Sequence, residues 1–383
     1  MSRGGQAGTP DVLKLAHTPT PSVLTAKTAS PSLPTTYVGI DVSKDHLDAC
    51  RKSGDQDPGD QNLGNQSPKE QRDARRFPNT PAGHRRLLGW LATSSSGKVQ
   101  AVVESTGRYS LDLTLALYEA DDTEVMVANP KALRGFAKAQ MRRTKTDAVD
   151  AAVIADYARR MSFSPWEPPP EATRELRAIA RRIQALTVER TREKNRLQSL
   201  TDSRSASSVV ENDIEVNIRH LKRRINELLR QAMACVNSSE PLTKAYGHLT
   251  SVRGIAEKSA VLLLGELAML PNDMSVREWV AHAGLDPKKW ESGTSVNAPE
   301  RTGKIGNARI RRALYMPAHS AIRYEPRVGA FYEKLLRRGK AKMVAVVAVM
   351  RKLLHAIYGM LKHGQDFDGE KFYATPETAP STP

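Results

Sequence analysis

Hydrophobic and polar positions alternate with a strand period near the start of the ordered-looking sequence. In "TYVGIDVSKDHLDACRKSG" a β-rich run is followed, after Asp41 and Ser43, by a second alternating run through Leu47, Ala49 and Arg51, which predicts a hairpin-like pair of strands. The pattern then switches repeatedly: a helical stretch near "TPAGHRRLLGWLA", a strand "VQAVVEST", a helix from about Tyr109 to Ala120, a strand "EVMVANP" and a helix "KALRGFAKAQM". Strands alternating with helices after an initial hairpin predict an α/β layer with a mixed sheet.

Beyond the proline-rich "SPWEPPP" the period changes. Leu176, Ile179, Ile183 and Leu186, then Leu197 and Leu200, follow a 3-4 spacing interrupted by Arg190 and Glu193. After the polar connector "TDSRSASSVVEND" the same spacing returns at Ile214, Ile218, Leu221, Ile225 and Leu228. Two such helices predict an antiparallel coiled-coil hairpin whose faces can also pair with another subunit; a plain helical pair within one chain accounts for the pattern equally well. Next, "LTSVRGIAEKSAVLLLGELAML" reads as a short helix, a turn at Gly254 and a longer apolar helix. It resembles a helix-hairpin-helix, which offers backbone N–H groups to a phosphate, although Ala256 stands where a second glycine is usual and an ordinary helix turn fits as well. The run "MVAVVAVM", bracketed by Lys342 and Arg351, reads as a buried helix.

These periods divide the chain into residues 1–36, a Thr/Pro/Ser-rich tail read as disordered, with an organellar transit peptide as the weaker alternative; an α/β domain over 37–160 carrying a Gly/Pro/Asn/Gln-rich mobile insertion at 54–71; a hinge and coiled coil over 161–245; a mainly α-helical domain over 246–366; and a tail over 367–383.

Charge narrows the partners. Lys and Arg number 58 against 42 Asp and Glu, a net charge of +16 with a pI near 9.8. A polyanion is therefore the expected partner. Nucleic acid fits better than a membrane, since no uninterrupted apolar run approaches the ~20 residues of a spanning helix. Only Cys50 and Cys235 occur, without CxxC spacing, which argues against zinc fingers and disulfides and fits a reducing cytosol. Lys131, Arg134, Lys138, Arg142, Arg143 and Lys145 crowd one region and are candidates for binding a nucleic-acid backbone, the alternative being a solvated basic face.

Against this basic background the acids in "RTKTDAVDA" stand out. Asp147 and Asp150 are three apart, so on a helix they point the same way and repel. A helix start explains them without function, with Thr146 as N-cap and acids favoured in the first turn. The other explanation is half of a divalent-metal site. Asp41 ends the first strand, with Gly39 leaving room for close backbone approach, and Glu104 ends another strand. A carboxylate at a strand end faces the sheet edge where ligands collect. Four such acids supply hard oxygen ligands for Mg²⁺, and paired ions of this kind clamp the attacking and leaving oxygens of a phosphodiester.

Strand-Asp "GIDVSK", strand-Glu "VVESTGRY" and helix "KTDAVDA" resemble the RuvC-like catalytic domain of the DEDD transposases of bacterial insertion sequences, the one-ten group. The resemblance covers nearly all of residues 37–366. It is most specific where "VREWVAHAGLDPKKWESGTSVN" precedes "GKIGNARIRRALYMPA", which is similar to that group's second domain, with the serine of its "ESG" segment as nucleophile. That serine is Ser292 here. Without the resemblance, Ser292 before Gly293 reads as a turn residue. The basic neighbours Arg301, Lys304, Arg309, Arg311 and Arg312 suit scissile phosphates and the charge that builds on phosphorus. The long N-terminal tail, the 54–71 insertion and Ala256 depart from the family pattern.

The resemblance implies an RNase-H/RuvC-like α/β domain, an antiparallel coiled coil and a mainly α-helical C-terminal domain. It implies a DNA recombinase in which Ser292 attacks a phosphodiester, with Mg²⁺ held by Asp41, Glu104, Asp147 and Asp150. It further implies a structured non-coding guide RNA selecting donor and target DNA, dimers that pair into a tetramer, and a place in the bacterial cytoplasm with the nucleoid. The rivals are a junction-cutting nuclease that uses only the acids and water, and an architectural RNA- or DNA-binding protein whose acids are structural.

Overall fold

The computed structural model describes residues 35–53, 73–93, 97–104, 109–140, 147–202, 207–292, 296–302 and 305–374. They divide into two compact units at Pro168 and Pro169. The expected insertion at 54–71 and residues 1–34 and 375–383 lie outside the described residues.

The first unit is a five-stranded mixed sheet in the order β3-β2-β1-β4-β5. Its strands are β1 (Thr36–Val42), β2 (His46–Ser53), β3 (Ala74–Pro78), β4 (Val99–Glu104) and β5 (Thr123–Ala128). β2 runs antiparallel to both β1 and β3, whereas β1, β4 and β5 are parallel. Parallel neighbours require crossovers. The helix α2 (Leu111–Tyr118) supplies one between β4 and β5, and α1 (Pro81–Ala92) precedes β4. Thr80 caps α1, its side chain accepting from the Gly83 N–H, with Pro81 at the first helical position. Asn129 likewise caps α3 (Pro130–Ala139).

Alternation along the strands sorts their side chains between two faces. Val38, Ile40 and Val42 join Val99, Ala101 and Val103 in one apolar cluster with Leu87, Trp90 and Leu91 of α1 and Leu113 and Leu117 of α2. On the opposite face, Val102 packs with Leu133 of α3 and with Ile154, Tyr157 and Ala158 of α4 (Asp147–Arg160). The extended 161–170 segment leaves the unit after the Trp166 N–H donates to the Val125 carbonyl at 2.7 Å.

The second unit is mostly helical. Its first two helices, α5 (Glu171–Thr201) and α6 (Ser208–Asn237), pack along their length as an antiparallel pair, the Cys235 thiol near the end of α6 donating to the Ala172 carbonyl at the start of α5. Leu176, Ile183, Leu186, Leu221 and Ile225 of the 3-4 pattern are buried between them and the helices that follow. Those are α7 (Glu240–Ser251), α8 (Glu257–Leu267), α9 (Val276–Ala283), α10 (Ala308–Tyr324), α11 (Pro326–Arg337), α12 (Lys342–His363) and the short α13 (Gly369–Phe372). One apolar cluster runs through them from Leu176 to Phe372.

Among the described residues α12 is the one helix long and apolar enough to cross a membrane, and its apolar side is core: Val346, Val349, Leu353, Leu354 and Ile357 are buried. Residues 367–374 fall in the stretch expected to be a tail, yet Phe372 is buried and Phe367 and Tyr373 pack beside it, because three aromatic side chains have apolar surface to cover. A two-stranded hairpin, β6 (Pro287–Ser292) and β7 (Val296–Thr302), interrupts the helices between α9 and α10.

Candidate functional site

β1 and β4 pair in register from Thr36 with Val99 to Ile40 with Val103. The next positions, Asp41 and Glu104, therefore fall side by side at the carboxyl ends of adjacent parallel strands. Because Val38, Ile40, Val99, Ala101 and Val103 belong to the opposite face, alternation turns Asp41 and Glu104 toward the face that α4 covers. Both are half-buried, as is Asp150.

Gly39 explains how α4 comes so close. A Cβ on Gly39 would stand 2.1 Å from the Ala155 nitrogen, 2.3 Å from the Ala151 oxygen and 2.6 Å from the Ile154 carbonyl carbon. The helix backbone thus lies directly on the strand backbone. At the other end of the contact, the buried Lys52 ammonium meets Asp156 of α4 at 3.0 Å, and Lys52 pairs across β2 and β1 with Tyr37. With Asp156 at the Tyr37 end and Ala151 over Gly39, α4 runs against the direction of β1. Its amino end, with Asp147 and Asp150, therefore lies toward Asp41. Among the described residues no three His, Cys, Asp or Glu side chains form a group that could hold a metal ion, and the side chain of Asp147 is outside that set. Asp41, Glu104 and Asp150 are carboxylates carried toward one end of the sheet, and carboxylate oxygens are the donor type that a hard divalent cation takes.

Ser292 is the last residue of β6, paired with Val296 at the turn end of the hairpin. Residues 293–295 lie outside the described residues. The root of the hairpin is held firmly. Gly284 adopts φ 64° and closes α9, the Asn307 N–H donates to the His282 carbonyl at 2.6 Å, and the Arg311 guanidinium donates to the Ala283 carbonyl at 2.7 Å. Gly306, at φ 137°, has no room for a Cβ, which would lie 2.4 Å from the His282 oxygen.

The basic candidates fare differently. Lys131, Arg134 and Lys138 are exposed on α3 at spacings of three and four, one continuous face. Arg142, Arg143, Lys145 and Lys304 lie outside the described residues, and Arg301 is in β7. Arg312 is exposed and Arg309 half-exposed, while Arg311 is committed to Ala283. The Gly254 turn has the form expected between α7 and α8, but its glycine serves packing. At φ 121° its missing Cβ makes room for α10, whose Ala321 nitrogen would be 2.6 Å away.

Sequence reading missed a polar seam where α5 meets α8. Glu266, buried in the apolar "LLLGELAML", accepts two hydrogen bonds from Arg181, at 2.7 and 3.1 Å, and one from the Asn307 amide at 2.7 Å. Burial pushes the Glu266 carboxyl up, but the hydrogen bonds from Arg181 and Asn307 and the charges of Arg181 and Arg177 outweigh it and hold the pKa below the ordinary value. The available signal was a single acid amid leucines, since a buried charge requires a partner. Further along the seam, Lys258 donates to the Thr187 hydroxyl at 2.6 Å, and burial, aided by Arg190, lowers its pKa from 10.5 to about 8. With the folded value depressed, the unfolded chain binds more protons between about pH 8 and 10.5, so stability should rise with pH across that window. Melting curves should show the native protein gaining on Lys258→Met over this range, and parallel curves would contradict the assignment.

Comparison with known proteins bears on both units. Residues 38–204 match a family model described as a transposase, and residues 246–333 match one described as a transposase of the IS116/IS110/IS902 family. The chain is 27% identical over 337 residues to the pilin gene-inverting protein of Moraxella bovis, across 87% of this chain and 98% of that one. It is 38% identical over 104 residues to the 44.8 kDa protein of insertion element IS116 of Streptomyces clavuligerus, 27% of this chain and 26% of that one. Over 150 residues it is 26% identical to the 43.6 kDa protein of insertion element IS110 of Streptomyces coelicolor, 39% of this chain and 34% of that one.

Proposed function

The chain belongs to the IS116/IS110/IS902 family of transposases, and from that premise we propose that it cuts and rejoins DNA through a serine nucleophile assisted by a carboxylate site. The observation that carries this reading is the register of β1 and β4, which sets Asp41 beside Glu104 at the end of the sheet where α4 brings Asp147 and Asp150. The strand order, with β2 alone reversed, supports an RNase-H/RuvC-like domain. A relative named for inverting a pilin gene supports rejoining as well as cutting, because inversion requires both.

In this reading Ser292 Oγ forms a bond to phosphorus, the bond from phosphorus to one bridging oxygen breaks, and that oxygen leaves with a proton as a free DNA hydroxyl. The phosphoserine link conserves the energy of the bond until another strand's hydroxyl reverses the step. Asp41, Glu104, Asp147 and Asp150 would hold Mg²⁺, which supplies charge neutralisation and polarises the phosphodiester. Arg301, Lys304, Arg309 and Arg312 hold phosphate oxygens, and Lys131, Arg134, Lys138, Arg142, Arg143 and Lys145 track a backbone without reading its sequence. A structured non-coding RNA guides the choice of donor and target, and dimers pair on DNA into a tetramer in the bacterial cytoplasm.

The test is a covalent adduct. With donor DNA, its guide RNA and Mg²⁺, a DNA strand should remain attached to the protein through denaturing electrophoresis, and peptide mapping should find it on Ser292. Mg²⁺-dependent cutting with no adduct would make the protein a hydrolytic nuclease instead. An adduct on Ser295 would move the nucleophile.

A further inference from the structure

The Glu266 cluster is unbalanced in charge. Gly265 lets α8 settle on α5, since a Cβ there would stand 2.7 Å from the Ala180 Cβ and 3.4 Å from the Arg177 Cα. That contact presses Glu266 against a row of arginines on α5 and the first turn of α10. Arg181 binds the carboxylate with both prongs, and Arg309 Nε reaches it at 4.0 Å. Asn307 takes up further acceptor capacity, and its own oxygen caps α10 by accepting from the Arg309 N–H at 2.9 Å. Arg177 is left over: its Nε is buried without a hydrogen-bond partner. Three guanidiniums thus share one carboxylate, leaving two positive charges unmatched. Burial first, and then Arg181, hold Arg177 below an arginine's ordinary pKa, with Glu266 opposing and Arg309 adding to the shift.

Packing like charges together is costly unless an anion joins them. The cluster also sits at the amino end of a seventeen-residue helix, where backbone N–H groups and the macrodipole favour negative charge. The Arg181 side chain keeps 35% of its exposure, Arg309 50%, and Arg177 is half-buried, so solvent reaches the cluster.

We propose that Arg177, Arg181 and Arg309 form a phosphate-binding notch for a nucleic-acid backbone at the root of the Ser292 hairpin, with Glu266 as the internal counter-ion that fixes the fork of Arg181. This rests on the nucleic-acid reading above and deepens it by naming contacts that the exposed basic residues do not supply. Planar forked donors suit the two non-bridging oxygens of a phosphodiester, and two such groups would balance the surplus. DNA and RNA present the same group, so the experiment separates them.

Binding of the full-length chain to a short DNA duplex and, separately, to an RNA hairpin is measured across a salt series for the native protein, Arg177→Gln, Arg309→Gln and Arg177→Lys. For the strand that occupies the notch, each glutamine variant should bind about tenfold more weakly, as for one lost charged hydrogen bond, and its log–log salt slope should fall by about 0.9. Arg177→Lys, which keeps the charge, should retain the native slope. A change confined to DNA or to RNA names the occupant, and a change in both means a shared groove. Native slopes in both glutamine variants on both nucleic acids would overturn the notch while leaving the general reading intact. So would an Arg177→Lys protein whose salt slope falls as far as that of Arg177→Gln, since lysine keeps the charge. A native protein that binds neither nucleic acid would overturn both the notch and the reading beneath it.

Discussion

Gly39→Ala is expected to destabilise the first unit by about 3 kcal/mol or more, the upper end of what overpacking costs, and to remove DNA cleavage with it. The added methyl would meet three backbone atoms of α4 at 2.1 to 2.6 Å. Backbone atoms cannot rotate aside as a side-chain tip can, so the helix has to lift from the strand. Lifting it separates Asp147 and Asp150 from Asp41 and breaks the close packing of Ala151 and Ala152 on Cys50. It also strains the Lys52–Asp156 pair, buried on both sides, for which losing one partner is far costlier than keeping both. Gly89→Ala is the matched control. A Cβ there meets nothing within 4 Å, and inside α1 alanine is the better helix former, so that protein should be as stable as the native one or slightly more so. Denaturant titration of both variants measures the difference. A Gly39→Ala protein that unfolds at the native midpoint would mean that α4 does not rest on β1 as described.

Asp41→Asn, Glu104→Gln, Asp147→Asn and Asp150→Asn should each lower strand cleavage by roughly a thousandfold, the scale of losing one electrostatic contact to a developing charge, while unfolding as the native protein does. Each exchange removes an anionic oxygen at almost constant volume, so packing is unchanged and the loss is chemical. Nucleic-acid binding should persist or tighten slightly, because a negative charge leaves a basic protein. Single-turnover cleavage with and without Mg²⁺ tests this, together with a binding curve for each variant. Native activity in Asp147→Asn or Asp150→Asn would detach α4 from the proposed carboxylate site and return that pair to the role of helix-start residues.

The two kinds of variant probe features that differed in how openly the sequence displayed them. β1, β2, β4 and β5 follow from simple alternation, and Gly39 was recognisable as a point of close approach because it precedes a strand-end acid. β3 escaped notice: in "ARRFP" only Phe77 is buried, two arginines face solvent and the strand is an edge, so almost no apolar period remains. β6 and β7 were hidden for a related reason, since "PKKWES" and "VNAPERT" carry lysines, glutamates and prolines that read as loop. The helix positions of α5 and α6 were plain from their 3-4 spacing. The polar seam beside them was not, because pairing Glu266 with Arg181 or Lys258 with Thr187 needs contacts across more than seventy residues of chain. Gly254 was legible as a turn between two helices, but its fit against α10 was not, because Ala321 is more than sixty residues away in the chain.

The long helical pair is supported unevenly along its length. In α5 every fully buried side chain lies at or before Leu186, and in α6 only Ile214 is fully buried ahead of Leu221. The inner half is therefore part of the domain's apolar core, and its amides should open only with that core. The outer half has a thinner apolar seam, with Ile214 buried and Leu197, Leu200 and Ile218 only half-buried, and its ion pairs such as Glu193–Arg196 and Glu215–Arg219 are each worth only a few tenths of a kcal/mol. Its hydrogen exchange should be governed by local fraying, with protection declining from Leu186 toward the tip, and exchange measured amide by amide checks this. In mechanical terms the pair is built as a cantilever, clamped at the core and more lightly supported toward the tip.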